Sequence, residues 1–101
     1  MWAQLIKLQV KPGADLSVGA DLLKRFEQPG SGLVRELFMQ DQNDPNQAYV
    51  LAVFESEEKA REREQDPRRE EGQQAMRAML ADVLAAPPEF VDLSVVAEWA
   101  P

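Results

Sequence analysis

With 101 residues, 11 basic and 18 acidic side chains and a net charge of −7, the chain fits one domain, residues 1–101, and lacks the basic excess that a nucleic-acid partner would call for. It contains neither cysteine nor histidine. That excludes disulfides, thiolate zinc sites, thiol nucleophiles and histidine-based triads, and removes the commonest metal ligand and the usual general base near neutral pH.

Residues 2–11 alternate, with Trp2, Gln4, Ile6, Leu8 and Val10 on one side and Ala3, Leu5, Lys7, Gln9 and Lys11 on the other, which predicts a first strand. Pro12 and Gly13 stop it. This alternation is unlike the unbroken apolar run of a signal peptide, and no stretch approaches the roughly 20 apolar residues that span a bilayer. A soluble, cytoplasmic protein with no membrane partner is the default expectation. Next, Asp15 or Ser17 can cap a helix whose stripe carries Gly19, Leu22, Leu23 and Phe26, ending near Gln28. Pro29, Gly30, Ser31 and Gly32 break the chain; without the lysine and spacing of a phosphate-binding loop they read as a plain turn.

The next 22 residues, LVRELFMQDQNDPNQAYVLAVF, form a hairpin in which two apolar runs flank the turn-forming Asn43, Asp44, Pro45 and Asn46. Strand two, 33–40, sets Leu33, Arg35, Leu37 and Met39 against Val34, Glu36, Phe38 and Gln40. Strand three, 48–55, sets Tyr49, Leu51 and Val53 against Ala48, Val50, Ala52 and Phe54, so both of its faces are apolar. Such a strand needs a dry cover on each side. The chain's own helices supply one cover; the other must come from elsewhere.

Ser56 is a good N-cap, and Glu57 and Glu58 follow in the first turn, where the helix dipole favours negative charge. The short helix to about Gln65 has Ala60 as its only apolar residue, so it is expected at a solvated rim with pairs such as Glu57 and Arg61. Asp66 and Pro67 interrupt it. From Arg68 or Arg69 a longer helix carries Met76, Met79, Leu80, Val83 and Leu84 at the spacing of a core-facing stripe. Pro87 and Pro88 end that helix, and residues 90–99 read as strand four, with Val91, Leu93, Val95, Ala97 and Trp99 on one side.

The resulting class is α+β: a ferredoxin-like βαββαβ domain with a four-stranded antiparallel sheet, strand one lying between strands three and four and strand two beside strand three. Helices cover one face of the sheet. The other is too apolar to remain in water, and a two-fold partner presenting the same face would remove it, so a homodimer is expected.

Three segments carry a family resemblance: strand one leading into Lys11, Pro12 and Gly13, the hairpin leading into VFESEEKAREREQDP, and the closing PPEFVDLSVV. Through them nearly the whole chain resembles the dimeric α+β barrel superfamily, in particular the antibiotic biosynthesis monooxygenase-like group. The resemblance implies a pocket between the sheet and the helices of one protomer, and a small aromatic ligand there. Some members of that superfamily are cofactor-independent monooxygenases of quinol-like or polyketide aromatics, some degrade haem, and others have no assigned activity. Haem degradation relies on a helical histidine that this chain lacks. The oxygenases group Asn, Trp and Tyr or Arg around the pocket, whereas here Asn43 and Asn46 sit in the hairpin turn and the tryptophans at the two ends. No catalytic set therefore carries across. Two readings stay open: a cofactor-independent monooxygenase, and a non-catalytic dimer that is structural or carries a ligand.

Several side chains are candidates for such a pocket, each with a plainer alternative. Arg35 can present a guanidinium to an anionic ligand, or pair with a surface carboxylate at a sheet edge. Tyr49 can orient a phenol or quinone, or simply pack. Met76 and Met79 face the sheet, where flexible thioethers suit either a ligand wall or core filling. Trp2 and Trp99 can line a pocket or pack across the dimer, and interface packing is the expectation. Arg68 and Arg69 can meet an anion at a helix start, or pair with Glu70, Glu71 and the acidic tract before them. Asp92 and Glu98 are too far apart along a strand to form an acid and base pair. Glu57, Glu58 and Glu62 lack the loop geometry of a calcium site, so no metal and no cofactor are expected.

Overall fold

The computed structural model describes residues Met1–Pro101. Strands β1 (Trp2–Gln9), β2 (Leu33–Gln40), β3 (Gln47–Phe54) and β4 (Glu89–Ser94) form one antiparallel sheet in the order β2-β3-β1-β4. Helix α1 (Ser17–Phe26) connects β1 to β2. Helix α2 (Glu57–Glu64), a 3-10 turn at Pro67–Arg69 and helix α3 (Glu70–Val83) connect β3 to β4. The architecture is the ferredoxin-like α+β plan expected from the order of elements. No helix is long and apolar enough to cross a membrane.

Local chemistry accounts for the boundaries. In the hairpin turn, Asp41 Oδ1 accepts hydrogen bonds from the backbone N–H groups of Asn43 at 2.8 Å and Asp44 at 3.1 Å, and Asp44 Oδ1 accepts from Asn46 N at 3.0 Å. These side-chain bonds take the place of ladder partners and bend the chain back. Ser56 Oγ caps α2 by accepting from Lys59 N at 3.1 Å. Asp66 does the same for the 3-10 turn through Arg68 N at 2.9 Å, with Pro67 at its first position. Arg61 pairs with Glu64 at 3.3 Å and Asp92 at 3.0 Å, taking the place of the predicted pair with Glu57.

Two boundaries depart from the periodicity. Pairing of β2 with β3 slips between Leu33 and Arg35, a bulge at Val34. The extra residue turns Leu33 to the helix side, against Trp2, Ala52 and Phe54, so it does not share a face with Arg35. Strand β4 ends at Ser94, although its alternation runs on to Trp99. Trp2 pairs with Ser94, and Met1 accepts one further bond from Val95 N at 3.4 Å. Beyond Val95 no pairing with β1 is made, and Val96 and Trp99 stand 96% and 84% exposed.

The core is thin and divided. One buried cluster holds Trp2, Ala52, Phe54 and Ala60 at one end of the sheet; the other holds Leu8, Val10, Ala48 and Val50 at the opposite end. The Trp2 and Phe54 rings lie 5.9 Å apart at 46°, with the Arg61 guanidinium 5.1 Å over Trp2. Trp2 is only 7% exposed in the single chain, packed under α2 with Phe54 and Ala60, which leaves little of it for the predicted dimer interface. The second sheet face carries Leu5, Leu37, Met39, Tyr49, Leu51, Val53, Val91 and Leu93 by strand alternation, and nothing in the chain lies over it. Leu37, Met39 and Leu93 are each more than a third exposed there.

Candidate functional site

Between the two core clusters the sheet and helices part to leave a cavity of about 490 Å³. Its floor is the helix-facing side of the sheet, including Gln4, Ile6, Phe38 and Val50, and its roof includes Leu23 of α1 and Met76 and Met79 of α3. Small residues at Ala48 and Ala52 keep the floor low. Two glycines set the roof: a Cβ at Gly72 would lie 2.5 Å from Phe26 Cβ, so its absence lets α1 and α3 close up, while the space at Gly19 is taken by Met79 Cε, 2.8 Å from where its Cβ would be. Closure of the helices above a thin core leaves the space below unfilled, a volume within the range of small-molecule sites.

Most of the lining is apolar, with six charged side chains on it: Glu64 and Arg77, which are exposed, and Glu27, Glu36, Arg63 and Arg69. Arg63, from α2, donates to Glu27 from Nη2 to Oε2 at 2.6 Å and from Nε to Oε1 at 3.3 Å. Its Cζ sits 5.5 Å over the Phe54 ring. Burial works against the Glu27 carboxylate, but the Arg63 hydrogen bonds and the positive charges of Arg63 and Arg69 outweigh it and hold its pKa below the ordinary 4.5. Arg69 donates from Nη1 to the Arg63 carbonyl at 3.4 Å, satisfying a carbonyl in the last turn of α2. Burial, with Arg63 nearby, lowers its pKa.

Glu36 differs from Glu27, Arg63 and Arg69. It points inward from β2, opposite Ala52 and two residues from Phe38, and no protein donor bonds its carboxylate. Burial pushes its pKa above 4.5, with Glu27 adding to the rise and Arg63 and Arg69 opposing it.

The cavity gathers some of the predicted residues and not others. Met76 and Met79 line it. Arg35 does not: the bulge and the alternation of β2 put it on the open face, level with Val53. Tyr49 borders the cavity through its place between Ala48 and Val50, yet alternation sends its ring to the open face, where it stands between Lys7 and Met39. Arg35 is thereby corrected as a residue of the sheet-to-helix pocket, whereas Tyr49 stays on its lining. Trp99 lies beyond β4, outside the cavity. Arg68 bonds Asp66 rather than Glu70 or Glu71, with Nη2 2.7 Å from Oδ2. Glu36 is a site residue that the sequence reading misses, although one signal is present: it shares a strand face with Phe38, where an unpaired carboxylate is rare.

No protein-family model and no curated protein matches the chain. Solved structures do. A candidate antibiotic biosynthesis monooxygenase from Caulobacter crescentus CB15 superposes with a TM-score of 0.76 at 16% identity, over 95% of this chain and 90% of that one. Another candidate of the same description, from Chloroflexus aurantiacus, gives 0.70 at 20% identity over 99% and 98%. A variant of SnoaB, a cofactor-independent oxygenase from Streptomyces nogalater, gives 0.68 at 17% identity over 96% and 94%. The fold is that of the antibiotic biosynthesis monooxygenase group. These matches run nearly end to end. Identities this low establish the fold and not the chemistry, which must be argued from the cavity.

Proposed function

We propose that this protein is a homodimer that takes up a small, largely apolar aromatic molecule between sheet and helices. The observation that carries this reading is the cavity of about 490 Å³, walled by apolar side chains and supplied with Glu36, Arg63 and Arg69. Convergent polar groups in an apolar space orient a ligand, while burial of its rings supplies affinity. The open apolar face supports the dimer, because a second copy presenting the same face would cover both at once.

The activity best matched to the site is cofactor-independent oxygenation, as in the oxygenase that shares the fold. In that reaction one atom of O₂ enters the aromatic substrate and the other leaves as water, with both hydrogens of that water taken from the substrate. Non-catalytic carriage is the second reading. It is favoured by the side chains that turn away from the cavity, since Tyr49 faces the other side of the sheet and neither tryptophan lines the space.

Native mass spectrometry of freshly purified protein tests dimer and ligand together. A species at twice 11.4 kDa retaining a small molecule is expected, and a bare monomer at micromolar concentration would overturn the proposal. Oxygen uptake over a panel of hydroquinones and naphthols then divides the readings. Turnover above the uncatalysed rate marks an oxygenase; tight binding without turnover marks a carrier.

A further inference from the structure

Of the six charged side chains on the cavity lining, Glu64 and Arg77 are exposed, Arg63 and Glu27 bond each other, and Arg69 bonds the Arg63 carbonyl. Glu36 receives no hydrogen bond from any protein group. Its oxygens are not sealed off but open onto the cavity, so a carboxylate beside Phe38 and Ala52 takes its donor from whatever occupies that space. What would satisfy it has a definite chemistry. An ionised carboxylate only accepts, so its partner must be a donor.

The surrounding charges narrow that partner further. Arg63 from α2 and Arg69 from the 3-10 turn are balanced by Glu27, just past α1, and Glu36 itself, and the exposed Glu64 and Arg77 offset each other, so the lining sums to zero and favours neither an anion nor a cation. From β3, the facing residues Val50 and Ala52 bring no charge. The complement is a neutral molecule with an aromatic body for the Phe26, Met76 and Met79 side and a hydroxyl for Glu36.

We propose that Glu36 is the hydrogen-bond and proton acceptor for the hydroxyl group of a neutral aromatic ligand in the cavity. The inference rests on the ligand-binding reading above and assigns it a residue and a substrate feature. If transfer is completed, the ligand O–H bond breaks, its proton forms an O–H bond on the Glu36 carboxylate, and the electron pair stays on the ligand oxygen. The phenolate so formed lies in the field of Arg63 and Arg69, and in the oxygenase reading it is the electron-rich form that meets O₂.

Titration calorimetry with 1-naphthol and its methyl ether, 1-methoxynaphthalene, on the wild type and Glu36→Gln tests the assignment. The two probes share their rings, and only the first donates. The wild type should prefer 1-naphthol by about tenfold or more, and Glu36→Gln should bring that ratio below about threefold while leaving the ether unchanged. In the wild type the preference should also fall as pH is lowered through the titration of Glu36, whereas the variant should show no such fall; the wild-type half of this comparison stands even if the variant does not fold. A preference that survives in Glu36→Gln, or an ether that binds the wild type as well as the naphthol does, overturns the role of Glu36 and leaves the cavity reading intact. If neither probe binds, the ligand reading fails and this inference goes with it.

Discussion

Arg63 Nη2 lies 2.6 Å from Glu27 Oε2, with the arginine side chain 9% exposed and the glutamate 26%. This pair ties α2 to the chain just past α1 beside the cavity, and its near-buried arginine has no other carboxylate partner. Both of its hydrogen bonds are charge-assisted, the second from Nε to Oε1.

Glu27→Gln should therefore destabilise the fold by about 1–3 kcal/mol near neutral pH, less than a fully buried pair because Glu27 keeps some water. Since its folded pKa is depressed below 4.5, the contribution is complete above about pH 4.5 and disappears as pH falls through the folded value. Urea unfolding at several pH values checks this. The variant and wild-type midpoints should converge in acid.

Glu36→Gln should act in the opposite direction. The folded state raises the pKa of Glu36 above 4.5, so its penalty is absent below about pH 4.5, grows as pH rises, and is complete above the raised value. Thermal unfolding should show a higher midpoint for the variant at neutral pH and no difference in acid. A lower midpoint at neutral pH would mean that the carboxylate is satisfied by a protein group.

Gly72→Ala should cost about 1–3 kcal/mol, because the added Cβ meets Phe26 Cβ at 2.5 Å and two packed helices must separate. Chemical denaturation measures it directly. The same substitution at Gly19 should be milder, since only the flexible end of Met79 has to move.

Met79→Ala should cost less than about 2 kcal/mol, whereas Leu8→Ala, at a site 5% exposed, should fall in the range of about 2–5 kcal/mol for buried residues. Met79 already borders empty volume and so forfeits fewer contacts. Urea unfolding of the two variants checks the difference, and equal costs would argue that the cavity is filled or collapsed in solution.

Leu37→Glu places a charge on the open sheet face, where Leu37 is 43% exposed in the single chain. If that face joins two copies, sedimentation at micromolar concentration should move from dimer to an 11.4 kDa species with an unchanged circular dichroism spectrum. An unaltered dimer would place the interface elsewhere.

Alternation and turn chemistry are enough to read β1, the hairpin and the order of elements, because period-two patterns and Asn, Asp, Pro and Gly act locally. Ser56 is legible as a cap for the same reason. The bulge at Val34 is not: a one-residue slip leaves no mark on a pattern whose two registers are both apolar, and it reassigns Leu33. Strand β4 is shorter than its alternation, which continues to Trp99, because the length of a strand is set by the neighbour that bonds it. Glu36, Arg63 and Arg69 lie in separate segments, and only the packing of α2 and the 3-10 turn over the sheet brings them together.

The amino-acid sequence by itself determined the class of fold, the absence of thiol and imidazole chemistry, and a sheet with two apolar faces, since composition and periodicity act along the chain. Only the tertiary structure decided which face holds the cavity and which carboxylate enters it. Those outcomes depend on how closely α1 and α3 approach at Gly72 and on where β2 slips, and both are set by contacts between residues far apart in sequence.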